Sequence, residues 1–292
     1  MWGGTFVTVQ SAVARYPLYG FLGWRFAVAT IAFVLLFPSS VRRLDAGTVE
    51  VGLLAGAFLT AGYIFQTWGL EATSASKAAF ITGMFVVMTP LLQALVLRRS
   101  PRLWTIVGVV LAVAGLWFLA GSSLGGWNAG DTRVLVCALA YSAHMIVLGG
   151  PGRRHDVLPL TFVQLATVAV VTGGISALTE RPPLPTDPLV LAAIGFTGIF
   201  ASAIAFAVQT YAQQHISPTK TALILITEPA FGGVFGWMAG DRLGVGGAVG
   251  AALILGGMLV SEVLGARAKT GGRVALEPSL EGPPVPLAED DS

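Results

Sequence analysis

Gln66-Thr67-Trp68-Gly69-Leu70-Glu71-Ala72-Thr73-Ser74-Ala75-Ser76-Lys77-Ala78-Ala79-Phe80-Ile81 decides the fold, because an echo of it returns later in the chain. Moving the sequence by 143 positions sets Gln66-Thr67 on Gln209-Thr210, Ser74 on Ser217 and Lys77 on Lys220. Ala79 then falls on Ala222, Ile81 on Ile224 and Arg99 on Arg242, with no gap. The surrounding residues are apolar in both copies and long enough for helices. Duplicated halves in an apolar chain are the mark of a secondary transporter, whose solute site lies between the repeats near the bilayer midplane.

Composition points the same way. Of 292 residues, 54% are hydrophobic and 11% charged, and the mean hydropathy is +0.77. An average soluble domain has roughly 25% charged residues, so this chain has too few polar groups to cover a water-facing surface, and lipid must solvate much of it. The net charge of +2 identifies no partner and gives no sign of nucleic-acid binding. Cys137 is the only cysteine, which excludes an intrachain disulfide and argues against a cysteine metal site. No cofactor motif is present. No basic segment precedes the first apolar run, as a cleavable signal peptide would require.

A spanning helix takes about 20 mostly apolar residues. Ten segments qualify as candidates, near 1–14, 17–37, 49–70, 77–97, 103–121, 132–150, 158–178, 188–212, 218–239 and 243–264. The expected fold is therefore an all-α integral membrane protein with ten transmembrane helices in two five-helix repeats, 1–121 and 132–265. Pro17, Pro188 and Pro218 suit first-turn positions, where a missing N–H costs nothing, and Ser217 suits the N-cap before Pro218. Residues 266–292, rich in Pro, Gly and acids, are expected to form a disordered cytoplasmic tail. The first segment is short, about 21 Å of helix against a hydrocarbon core of roughly 30 Å, so a start upstream of Met1 is expected.

Arginines and lysines set the orientation. With the N-terminus in the cytoplasm, eleven of the 17 fall in inner turns and five in outer turns. Arg25 lies inside a span. Both termini are then cytoplasmic in a multi-pass plasma-membrane protein. With five spans in each half, the repeats are inverted relative to one another.

The motifs resemble the EamA family of the drug/metabolite transporter superfamily. Trp2-Gly3-Gly4-Thr5-Phe6-Val7, followed by Leu22-Gly23-Trp24-Arg25-Phe26, is similar to the family's opening. Ser76-Lys77-Ala78-Ala79-Phe80-Ile81-Thr82-Gly83, running to Thr89-Pro90-Leu91-Leu92, resembles its fourth helix. Ser217-Pro218-Thr219-Lys220-Thr221-Ala222, then Thr227-Glu228-Pro229-Ala230-Phe231, resembles its ninth. The resemblance covers nearly everything but the tail. It implies movement of a small metabolite, amino acid or drug across the membrane, with export the expected direction, and does not identify the solute.

A charged side chain at a helix centre costs around 2.5–3.5 kcal/mol or more in a bilayer, so such residues need a reason. Three ionisable side chains lie deep in expected spans. Glu228 is either a structural carboxyl beside Pro229 or a proton-coupling or cation-binding group. Arg25 either ties helices together or binds an anionic group of the solute. His144 is either a hydrogen-bonded core residue or a proton shuttle. Gln66 and Gln209 hold equivalent positions in the repeats and are expected to face one another across a pseudo-twofold axis. Lys77 and Lys220 are paired likewise, as cavity residues or as interfacial anchors. The candidate solute site is thus Arg25, Gln66, Gln209, Glu228, His144 and Lys77, with Tyr63, Phe80, Met84, Tyr141 and Tyr211 as possible walls. Pro90 and Pro229 are expected to interrupt their helices. Gly232, Gly236 and Gly240, with Gly246 and Gly250, form small-residue steps suited to close helix packing.

An enzyme is disfavoured, because no His-Glu-x-x-His, Gly-x-Ser-x-Gly or metal-spaced histidine cluster occurs. A channel or an intramembrane scaffold is the alternative reading. The expected partners are a small-molecule solute, the lipid bilayer and a coupling proton, for a monomer or homodimer.

Overall fold

The computed structural model describes residues 2–96, 98, 103–120, 126–215 and 218–264, with side chains undescribed at Ala120 and at 218–223. It contains thirteen α-helices and no strand among those residues. The helices are α1 (Trp2–Val13), α2 (Leu18–Leu36), α3 (Ser39–Arg42), α4 (Ala46–Leu70), α5 (Ala75–Gly83), α6 (Phe85–Val96) and α7 (Leu103–Ala120). They continue with α8 (Ala129–Gly149), α9 (Val157–Thr179), α10 (Pro188–Gly198), α11 (Ala205–His215), α12 (Pro218–Met238) and α13 (Gly244–Leu259). A π-helical turn, Ile199–Ile204, joins α10 to α11, and a second, Val260–Leu264, extends α13. Each apolar segment expected from the sequence coincides with a helix or a joined helical run. Seven of these runs are long and apolar enough to cross a membrane, and Leu103–Leu119 and Ile224–Met238 are shorter apolar helices. The tail at 266–292, the Ser217 cap and most of the 98–102 arginine turn lie outside the described residues.

Local chemistry sets the helix starts. Asp45 accepts the Thr48 N–H at 2.9 Å, Ser74 accepts that of Lys77, and Asp187 accepts that of Leu189 at 2.8 Å, ahead of Pro188. Asn128 and Asp131 form a reciprocal capping box at the start of α8. Pro17 stands one position earlier than expected, as the N-cap of α2 rather than its first residue.

Packing follows the repeat. The fifth long helix of each half, α7 and α13, lie against one another, as do the second, α2 and α9. The third helix of each half packs on the second helix of the other: α4 on α9, and α10 with its π turn on α2. Among hydrophobic helices in lipid, close backbone approach supplies the attraction. A Cβ on Gly115 would fall 2.6 Å from the Gly250 carbonyl oxygen, and one on Gly108 2.5 Å from that of Gly257, so α7 and α13 meet backbone to backbone. Gly232 and Gly236 sit likewise against Ala79 and Ser76 of α5. Gly240 differs from expectation. It lies beyond α12 with φ +109°, in the left-handed region that ends helices, and a Cβ there would meet nothing within 4 Å among the described residues.

The prolines also differ. Pro90 lies inside α6 and Pro229 inside an unbroken α12. A proline removes one helical hydrogen bond, which packed neighbours tolerate within a bundle. The break in the first half falls at Met84, between α5 and α6. There a Cβ on Gly83 would come within 2.8 Å of both Met258 and Pro229.

Candidate functional site

A central pocket, about 450 Å³ of space when its opening to solvent is included, lies where α1, α4, α6, α8, α11 and α12 converge. Eight of its thirteen lining residues form pairs related by the shift of 143 positions: Trp2 with Met145, Tyr63 with Phe206, Gln66 with Gln209, and Phe85 with Glu228. Residues at equivalent repeat positions therefore meet around one space. At the last pair the symmetry fails chemically, because one half contributes a phenyl ring and the other a carboxylate.

Five aromatic rings form a continuous wall. Trp2 lies 5.5 Å from Phe206, Phe206 lies 6.1 Å from Tyr63, Tyr63 lies 5.8 Å from Tyr141, and Tyr141 lies 6.4 Å from Phe85, centroid to centroid. Polar groups punctuate this wall. Gln66 donates to the Thr82 hydroxyl at 3.2 Å. Gln209 Nε2 lies 3.2 Å from the Met145 sulfur, while its buried Oε1 has no hydrogen-bond partner among the described residues. One turn on, Gln213 repeats this arrangement, with Nε2 at the same sulfur and Oε1 unpartnered. His144 Nε2 lies 2.7 Å from Gln164 Oε1, and Gln164 in turn donates to the Leu160 carbonyl, which fixes the imidazole. Glu228 is the one acidic side chain in the lining and makes no hydrogen bond or ion pair among the described residues.

Arg25 is placed behind this wall. Its Nε donates to Ser202 Oγ at 3.0 Å and its NH2 to Tyr63 Oη at 3.2 Å, with the guanidinium 4.6 Å from the Tyr63 ring centroid. Ser202 belongs to the first π turn, a local distortion often found at functional sites. Arg25 thus holds Tyr63, which lines the cavity, and forms no ion pair with Glu228.

Lys77 is elsewhere again. Buried to 1% exposure at the start of α5, its Nζ lies 2.6 Å from Asp131 Oδ2 of α8 and also donates to the Gly126 carbonyl. Asp131 further accepts the Thr73 hydroxyl, and Gln10 of α1 donates to the carbonyls of Leu70 and Thr73 at 3.1 and 2.9 Å. These contacts tie α1, α4, α5 and α8 together at one end of the bundle.

At the other end a wider space, about 1280 Å³ with its opening to solvent included, shares Phe85, Met145 and Leu225 with the cavity and adds Gln93, Arg153, Gln213 and Glu262. The cavity therefore adjoins a wide vestibule on one side and a cross-braced plug on the other.

Of the six expected site residues the structure places Gln66, Gln209, His144 and Glu228 in one lining and Arg25 and Lys77 outside it, with Tyr63 and Tyr141 among the walls. Phe80 and Met84 are buried outside the lining, and Tyr211 is exposed, stacked on His215. Trp2, Phe85, Met145 and Phe206 were not anticipated, although carrying the same shift to 2, 63 and 85 would have paired all four.

Comparison with known proteins agrees with the geometry. The family model described as the EamA-like transporter family matches residues 1–121 and 128–262. The chain belongs to the EamA-like transporter family. Relatives of this EamA-like transporter include an uncharacterized transporter of Archaeoglobus fulgidus, 29% identical over 80% of this chain and 73% of that one. The uncharacterized transporter YoaV of Bacillus subtilis is 20% identical over 92% and 95% of the two chains. The S-adenosylmethionine/S-adenosylhomocysteine transporter of Chlamydia trachomatis serovar D is 29% identical over 82% and 78%. A crystal structure at 20% identity superposes with TM-score 0.69 over 92% of this chain and 95% of its own, sharing the fold. The protein is a multi-pass membrane transporter, not an enzyme.

Proposed function

We propose that this EamA-like protein is a secondary transporter that moves a small organic solute outward across the plasma membrane by alternating access. The solute binds in the central cavity. Residues 1–121 and 132–265 act as two inverted repeats that rock about it. The observation that carries the reading is the lining by repeat-equivalent pairs, since a site on the axis between inverted repeats stays accessible as either side opens. Gln66, Gln209, His144 and Glu228 supply the polar contacts, and Arg25 positions Tyr63. The Lys77–Asp131 brace closes the end away from the vestibule. With both termini cytoplasmic, as the basic residues favour, the vestibule beside Arg153 faces inward. The Chlamydia relative, named an S-adenosylmethionine/S-adenosylhomocysteine transporter, supports a small organic solute.

Solute counterflow in proteoliposomes, run across a metabolite panel, tests the proposal. Saturable counterflow is expected. A linear conductance would instead make the protein a channel, and no flux with any solute would leave a scaffold. Glu228 is the proposed carrier of a coupling proton, so Glu228→Gln should keep exchange without a gradient at saturating solute and lose stimulation by a pH gradient. Full gradient-driven accumulation in that variant removes the coupling role. Orientation is read separately with Ser100→Cys and Pro183→Cys in a chain lacking Cys137. An impermeant thiol reagent on intact cells should label only the second, and the reverse pattern overturns the assignment.

A further inference from the structure

Resting on the reading of the central cavity as the solute site, we infer that the solute is an organic cation with N–H donors on a flat, aromatic-sized body. The acidic group of the lining is Glu228, and it has no hydrogen bond or ion pair among the described residues. The Arg25 guanidinium is engaged elsewhere, by Ser202 and by both the hydroxyl and the face of Tyr63. His144 is held through Nε2 by Gln164. Lys77 is committed to Asp131 at the far brace. No basic side chain of the lining is therefore free to meet an anion.

The amides point the same way. Gln209 Oε1 and Gln213 Oε1 are buried acceptors without partners among the described residues, whereas each amide NH2 makes one contact, to the Met145 sulfur. A buried polar atom left unmade costs free energy, and a solute presenting N–H donors satisfies both oxygens. Gln213 also lines the vestibule and Gln209 the cavity, so the acceptors lie along the path inward, ending near Glu228. Five rings enclose the same space, and aromatic faces attract cations. Acceptors, one carboxylate and ring faces favour a positively charged donor and reject a carboxylate of equal shape.

The test compares three probes of one body: tryptamine (cation), 3-ethylindole (neutral) and indole-3-acetate (anion). Equilibrium binding to the purified full chain is expected to favour tryptamine over indole-3-acetate by at least about tenfold, the worth of one charge-assisted hydrogen bond. The neutral probe should fall between them. Glu228→Gln should bring tryptamine to the level of 3-ethylindole. Gln209→Leu keeps the charge, removes an acceptor, and should weaken tryptamine several-fold while sparing 3-ethylindole, so it also answers the question where Glu228→Gln does not fold. Failure of tryptamine to bind at millimolar concentration, equal or tighter binding of indole-3-acetate, or a cation preference that survives Glu228→Gln overturns the proposal. Cation-selective binding without counterflow would sink the transporter reading and leave this inference standing. Counterflow of anions alone would do the opposite.

Discussion

Replacing Lys77 by Met tests whether the buried ion pair braces the two halves, and its cost can be worked from the geometry. Lys77 Nζ lies 2.6 Å from Asp131 Oδ2, and the two side chains are 1% and 0% exposed. Methionine keeps most of the volume and removes the charge. Asp131 would then retain only neutral partners, the Thr73 hydroxyl and the Asn128 N–H. Leaving one member of a buried pair uncompensated costs about 3–5 kcal/mol. An exposed pair is worth about 0–1 kcal/mol, and Arg15–Asp187, with side chains 55% and 36% exposed, is such a pair. For a chain of this length each kcal/mol moves Tm by about 2–4 °C, so Lys77→Met should lower Tm on the order of 10 °C. Arg15→Met should shift it by no more than about 4 °C. Adding Asp131→Asn removes the stranded charge, leaves its oxygen to accept the Asn128 N–H and its NH2 to donate to the Thr73 hydroxyl oxygen, so the double variant should recover at least about 2 kcal/mol of the loss. Tryptophan fluorescence during thermal unfolding in nanodiscs reads all four proteins. A Lys77→Met protein that melts with the wild type, or a loss that Asp131→Asn does not reverse, would refute the reasoning.

Three further outcomes follow from particular contacts. Gly250→Leu should separate α7 from α13, since even a Cβ at Gly250 would lie 2.6 Å from the Gly115 carbonyl oxygen; a loss of at least about 1–3 kcal/mol is expected on overpacking, whereas Gly246→Leu, with only the Phe118 carbonyl oxygen at 3.7 Å, should unfold like the wild type. The Asp45 carboxyl is held below its ordinary range, first by the Thr48 hydroxyl and then by the Thr48 N–H. A depressed folded-state pKa contributes stability above the unfolded value and loses it as pH falls through the folded one, so the Tm gap between wild type and Asp45→Ala should be full at pH 7 and shrink as pH falls below about 4; a gap that stays constant well below that pH would contradict the assignment. Arg25→Lys should weaken solute binding through Tyr63, because an ammonium cannot hold Ser202 and stack on the ring as a guanidinium does, and Tyr63→Phe combined with Arg25→Lys should cost little more than Arg25→Lys alone; additive losses would show that Arg25 acts on the solute independently of Tyr63.

How much of the site was legible in the sequence follows from how each residue acts. Gln66 and Gln209 could be found because the duplication marks them twice and inverted repeats bring equivalent positions to a common axis. Glu228 and His144 could be found because an ionisable group in a span stands out against its apolar surroundings. The aromatic wall could not be found by chemistry, since rings in a span look alike whether they face lipid, core or cavity. Lys77 was the hardest to read. Its polar type fits an anchor, a ligand or a brace equally, and only the approach of Asp131, 54 positions away in sequence, chooses among them.

By itself, then, the sequence determined the solvent, the helical segments and the duplication, because hydropathy, helix length and repeat spacing are properties of the chain taken locally. The tertiary structure decided what those properties leave open. It placed Arg25 behind Tyr63, left the Gln209 and Gln213 oxygens without partners among the described residues, put the first-half helix break at Met84 instead of Pro90, and opened the vestibule at the Arg153 end. Each of these depends on which faces of separate helices meet, and that is settled by packing between elements far apart along the chain.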